Sequence, residues 1–150
     1  MAYQAKRSKG LQEDFELVDE SGEVAHVIHV SLDADSMLVN LNRKYTALTR
    51  ALYEMQETKR KAETRQELSD CIEVIGRAMI DLLETVFGKE NTMIIVDFYE
   101  NRYDEMSREV LPFVSQVVIP RMHEIASENR KSILEKYNRK QRRSLLKGMK

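Results

Sequence analysis

Apolar positions repeat with two different periods along this chain. Phe15 to Val18 reads as one strand and Val24 to Leu32 as a second. In the second, Val24, His26, Ile28 and Val30 fall on one face, and Ala25, Val27, His29 and Ser31 on the other. Between the two runs, Asp19-Glu20-Ser21-Gly22-Glu23 supplies turn residues, with Gly22 free to adopt positive φ. A β-hairpin is predicted. A lone hairpin is marginal in water, so this one must pack on helices or pair with another chain.

The period then changes. Asp33-Ala34-Asp35-Ser36 offers N-cap residues, and Leu38, Leu41, Tyr45, Leu48, Leu52 and Met55 follow at alternating spacings of three and four. That stripe predicts one long helix over about 35–60. Its far end, Glu57 to Arg65, is charged on all sides and is expected in solvent or in the connection. Thr64 and Glu67 have the spacing of a capping box for a second helix reaching about Phe87. Its expected buried positions are Leu68, Cys71, Ile72, Ile75, Met79, Leu82, Leu83 and Val86, and Gly88 stands where a helix-ending glycine belongs. Asn91 or Thr92 is expected to cap a third helix through Met93–Val96, a run that is also β-prone. Asp104 is expected to cap a fourth. Pro112 and Pro120 interrupt that fourth pattern, because an internal proline removes a hydrogen bond and clashes with the preceding turn. The helix must bend at one or both prolines, or break near Pro120. A basic, mostly polar helix follows, with Ile133, Leu134, Tyr137, Leu145 and Leu146 as its apolar footholds.

Charge divides the chain. Asn129 to Lys150 holds nine Lys or Arg against one acid, Glu135, a balance of +8, while the whole chain is −1. Residues 1–128 therefore sum to −9. An acidic body with a basic end tends to dock against a partner, a copy of itself or a polyanion. The scarcity of Gly (5) and Pro (2) favours long helices over a turn-rich β protein. The fold class expected is mainly α: an N-terminal β-hairpin followed by a bundle of about four to five helices. Residues 1–12 are expected to be a disordered N-terminus, 13–128 a single helical domain carrying the hairpin, and 129–150 a basic C-terminal helix or tail. MAYQAKRSKG lacks the apolar core of a secretory signal, and no apolar run approaches the ~20 residues of a membrane span. A cytoplasmic protein without membrane contact is expected.

Residue types that carry chemistry are present but not clustered. His26 and His29, three apart on a strand, point to opposite faces and cannot easily share a metal. Cys71, the one cysteine, lies in an apolar helical pattern, which predicts a buried thiol. Asp33 and Asp35 fit helix capping better than calcium binding, which needs more oxygen ligands at fixed spacing. There is no phosphate-binding glycine loop and no local nucleophile motif. No catalytic residue, cofactor site or metal site is expected, and the chain is read as not an enzyme. The candidate interaction residues are Arg130, Lys131, Arg139, Lys140, Arg142, Arg143 and Lys147 in the basic end, with Val27 and His29 on the second strand. The basic end has three readings: a solvated terminus, an arm that folds on a protein partner or a neighbouring copy, or a nucleic-acid contact. The last would neutralise phosphates, although one aromatic, Tyr137, serves base stacking poorly.

The order of features resembles a known family. An acidic hairpin ends in Leu32-Asp33-Ala34-Asp35, and a helix with a Tyr45…Leu48…Leu52 face follows. A second apolar helix ends in Asp81-Leu82-Leu83-Glu84-Thr85-Val86-Phe87-Gly88-Lys89-Glu90-Asn91. The chain closes with Tyr137-Asn138-Arg139-Lys140-Gln141-Arg142-Arg143. Over residues 14–127 this resembles the small tail assembly chaperones of long-tailed phages and prophages of Gram-positive bacteria. The resemblance implies a helical, self-associating protein without catalytic residues. It also implies partners: the tape measure protein, which the chaperone keeps soluble, and the tail tube protein, which it recruits. A homo-oligomer is expected. The longer, twice-prolined fourth helix and the strongly basic end depart from the family's pattern. The alternative reading is a small nucleic-acid-binding or regulatory protein using the basic end.

The helical stripe generates a first prediction. Leu48→Asp buries a charge in it and should unfold the domain or dissolve its assembly, read by circular dichroism and light scattering. A soluble variant of unchanged melting temperature and mass would refute the stripe.

Overall fold

A computed structural model describes residues 2–7, 9–61 and 65–148; residues 59–61 and 139–148 are described through their backbone alone. It is mainly helical, with a single antiparallel β-hairpin at its N-terminal end. Strand β1 spans Leu11–Val18 and β2 spans Val24–Leu32. β2 has the expected bounds, but β1 begins four residues before Phe15. Leu11 and Gln12, placed in a disordered terminus from the sequence, pair with Leu32 and Ser31. The physical reason is that Leu11 is fully buried and extends the inward alternation of Phe15 and Leu17. On β2, Ile28 and Val30 are buried, whereas His26 on the same face lies towards the turn and is exposed; a register shift between Leu17 and Val18 sets Val24 opposite Val18. The turn itself is tied by Asp19. Its carboxylate accepts hydrogen bonds from the Ser21 amide (2.9 Å), the Ser21 hydroxyl and the Glu23 amide (3.0 Å), while Gly22 takes φ 88°.

Helix α1 runs Ala34–Lys61. Asp33 precedes it and accepts a bond from the Asp35 amide at 3.1 Å, the capping role read from the sequence. Leu38, Leu41 and Leu48 are buried, and Tyr45, Leu52 and Met55 pack against the core at its edge. Helix α2 spans Arg65–Phe87, with Glu67 in its first turn; Thr64 of the expected capping box lies outside the described residues. Ile75, Met79, Leu82, Leu83 and Val86 are buried. Ile72 is not: it is exposed, and Cys71 is only half-buried. Lys44 joins the two long helices, bonding Asp81 at 3.1 Å and the Thr85 hydroxyl at 2.8 Å.

Gly88 takes φ 84° and ends α2, but it also stands at the N-cap of α3, Lys89–Phe98. Neither Asn91 nor Thr92 caps that helix. They lie within it and donate backwards, Asn91 to the Phe87 carbonyl (3.1 Å) and Thr92 to the Gly88 carbonyl (2.7 Å), so they serve acceptors at the α2–α3 junction. Helix α4 is Tyr103–Glu109, with Arg102 rather than Asp104 at its N-cap; Asp104 instead faces the helix dipole from the first turn.

Of the two outcomes expected at the prolines, a bend at one or both or a break near Pro120, the break does not occur. The interruption falls at Val110, and Pro112 then sits in the first turn of α5, Leu111–Phe113, where its missing N–H leaves no bond unmade. Five residues of π-helix, Val114–Val118, lead directly into α6, Ile119–Gly148. The wider turn sits where the Pro120 ring would press on the carbonyl four residues back, so the helix passes that proline without breaking.

α1 packs on α2 and on α6, while the hairpin rests on α2 through β2 and on α6 through β1. Three rings pin it there. Phe15 of β1 lies 5.2 Å from Phe87 at the end of α2 and 4.8 Å from Phe113 of α5, and the last two are 5.9 Å apart. Phe15→Ala should therefore cost about 3 kcal/mol of stability, measured by urea unfolding. A loss below about 1 kcal/mol would show that the rings do not anchor the hairpin.

Candidate interaction surfaces

Among the described residues the hairpin pairs only with itself, so each strand has one edge without a described strand neighbour. Its outward face carries Gln12, Asp14 and Glu16 opposite Ser31, His29 and Val27. Val27 is 61% exposed, with Val18 and Val24 also exposed nearer the turn. The His29 ring bridges its neighbours. Nδ1 is 2.8 Å from the Asp14 carboxylate, and Nε2 is 2.6 Å from the Gln12 amide oxygen. Gln12 in turn donates to the Ser31 hydroxyl at 2.7 Å. Both ring nitrogens are thus engaged inside a surface polar row. His26 lies opposite Leu17, on the other face. Among the described residues no three His, Cys, Asp or Glu side chains come together as a metal site.

This region carries the densest negative charge of the body. From Leu11 to Asn42 there are eight acids and no Lys or Arg. Glu16, Glu20 and Glu23 form no side-chain ion pair among the described residues. A simple count along the sequence locates this imbalance; dividing the charge only into body and end obscured it.

The second surface is the far half of α6. Met122, Ile125 and Ala126 are buried, and Asn129 marks the edge of the fold, donating to the Lys9 carbonyl (3.3 Å) and the Asp35 carboxylate (3.2 Å). From Arg130 to Asn138 every residue is exposed. Ile133 is 66%, Leu134 53% and Tyr137 59% exposed. The helix continues to Gly148, so at ~1.5 Å per residue it extends roughly 28 Å beyond Asn129. Arg130 and Lys131 stand at its root, exposed. Arg139, Lys140, Arg142, Arg143 and Lys147 lie farther along the same helix, and their side chains are outside the described residues. The expected interaction residues therefore form two separate groups, on the hairpin face and on this arm.

A third surface escaped the sequence. A groove of about 630 Å³ opens between α1, α2 and the start of α4, lined by Leu52, Met55, Ile72, Ile75, Tyr103 and Asp104 among others. It explains why Ile72 is exposed. The turn before α4 holds Glu100 and Asn101 at φ 52° and 61°, bringing Asn101 and Arg102 to the rim. Arg102 is held by Glu100 at 3.1 Å, and Ser107 donates to the Tyr103 carbonyl at 2.8 Å. Its described lining contains no histidine or cysteine. The groove has apolar walls and a polar rim, a form that holds a side-chain ridge. Lining residues drawn from three elements leave no periodic signal in a sequence.

Compared with known proteins, the chain matches no family model, no curated protein and no solved structure. Among the described residues, no helix is long and apolar enough to cross a membrane.

The hairpin tip has a pH signature. Bonds from the Ser21 hydroxyl and the Glu23 amide hold the Asp19 carboxyl below its ordinary value of 3.8. A depressed carboxylate stabilises the fold above its unfolded pKa, and that contribution disappears as pH falls through the lower folded value. NMR titration of the Ser21 and Glu23 amides should give a midpoint below 3.8; a midpoint at or above it would contradict the turn geometry.

Proposed function

We propose that this chain is a non-enzymatic assembly protein, a phage tail assembly chaperone or scaffold that self-associates and binds the tape measure and tail tube proteins. The observation that carries the reading is the arm. A helix whose inner half is core continues for roughly 28 Å with Ile133, Leu134 and Tyr137 exposed and the chain's excess of cations around them. Apolar side chains spaced along a projecting helix are unfavourable in water and are stabilised against a partner. The half-apolar groove and the unpartnered strand edges add further places where an extended or helical protein can be held. A polar, charge-rich remainder keeps such a complex in solution.

The reading is supported by the order of hairpin, long helix, second helix and basic end, and by surfaces suited to protein contacts rather than to turnover. A long helical protein such as a tape measure presents amphipathic ridges of the kind a shallow apolar groove accepts. The arm's stripe, by contrast, suits a flatter apolar patch. Two sites of different shape on one small chain fit a protein that brings unlike partners together.

Co-expression tests the proposal. A tape measure protein of a long-tailed phage should stay soluble and co-purify with this chain, and truncation after Asn129 should weaken that complex at least tenfold. A tape measure protein that precipitates regardless of this chain, while the full chain shifts duplex DNA at about 150 mM salt, would replace the proposal with nucleic-acid binding.

A further inference from the structure

We propose that the arm, α6 beyond Asn129, seats on the outward face of the hairpin of a second copy of this chain. This rests on the self-association in the preceding reading and names its contact. The arm does not use its own hairpin. Arg130 to Asn138 are all exposed, and α6 is continuous through Asn129, so the arm is carried away from the fold rather than back across it. A free helix of that length is marginal in water and is ordered by whatever covers its apolar stripe.

Two independent matches select the hairpin of a neighbour. The first is charge. Leu11 to Asn42 holds eight acids with no Lys or Arg, and Asn129 to Lys150 holds nine Lys or Arg with one acid. Glu16 on the outward face and Glu20 and Glu23 at the turn are without ion pairs among the described residues, so their charges are available. The second is apolar. The arm presents Ile133, Leu134 and Tyr137, and the hairpin presents Val18, Val24 and Val27, each exposed in the single chain. A helix laid across the hairpin covers both sets and brings the two oppositely charged segments within a Debye length of each other. The row Asp14–His29–Gln12–Ser31 holds the receiving face in one arrangement, so little order is lost there on docking.

Charge exchange tests the contact. A hairpin variant, E16K/E20K/E23K, and an arm variant, R130E/K131E/K136E, alter exposed side chains, and circular dichroism verifies that each folds. Light scattering should give the wild type a mass above 17.5 kDa at about 50 mM salt, falling towards that value near 500 mM. Each variant alone should stay at 17.5 kDa in low salt, since the exchange cuts the hairpin segment from −8 to −2, or the arm from +8 to +2, and with it most of the attraction. Mixed one to one, they should regain the higher mass, because the hairpin variant's unaltered arm then meets the arm variant's unaltered hairpin. Variants that remain assembled alone, or a mixture that stays monomeric, overturn the contact and leave self-association through another surface standing. A wild type that is monomeric at low salt overturns the contact and the self-association together. An arm variant that loses duplex-DNA binding, with no recovery of mass in the mixture, assigns the arm to nucleic acid instead.

Discussion

Two antiparallel strands cannot hold themselves in water, and the architecture is organised around that constraint. The hairpin's inner residues, Leu11, Phe15, Leu17, Ile28 and Val30, must be covered by helices. The ring cluster of Phe15, Phe87 and Phe113 fixes where. Each ring comes from a different element, so the hairpin, the end of α2 and the turn at Pro112 settle together or not at all. Once the inner face is committed, the outward face and both strand edges are what remains to meet other molecules. The acids gathered there cost little while they face water.

The same logic divides α6. Its first part is built into the core through Met122, Ile125 and Ala126, and Asn129 closes the edge through Lys9 and Asp35. Ile133 and Tyr137 continue that face at helical spacing, but the body ends before them. The helix is longer than the fold it belongs to. Burial of its inner part fixes the direction of the outer part, so the arm is aimed rather than tethered. In the reading proposed here, direction and charge together make the arm an instrument of assembly.

Much of the fold was legible because it rests on local periodicity. The alternation in Val24–Leu32 marked β2, the stripe from Leu38 to Met55 marked α1, and Gly88 marked the end of α2. The errors came where a residue serves something distant or serves twice. Leu11 joins the strand because Leu32 and the core stand opposite it, across a polar Gln12-Glu13-Asp14 that masked the alternation. Gly88 caps one helix and begins the next, which frees Asn91 and Thr92 to bond backwards. Pro120 is absorbed by a π-helical turn that no local pattern announced. Ile72 has the spacing of a core residue and lies beside a groove instead. Of the candidate surfaces, the basic end stands out by charge and the exposed Val27 by alternation. The groove, assembled from three elements, was not.

If the arm is ordered by a partner, its backbone protection must depend on association. Amide hydrogen exchange over Lys131–Gly148, followed at low salt from dilute to concentrated protein, measures this most directly. The account predicts rapid exchange in the dilute chain and protection that rises with concentration, while Ile75–Val96 in the core stays unchanged. An arm as slowly exchanging as the core at high dilution, and indifferent to concentration, would contradict it.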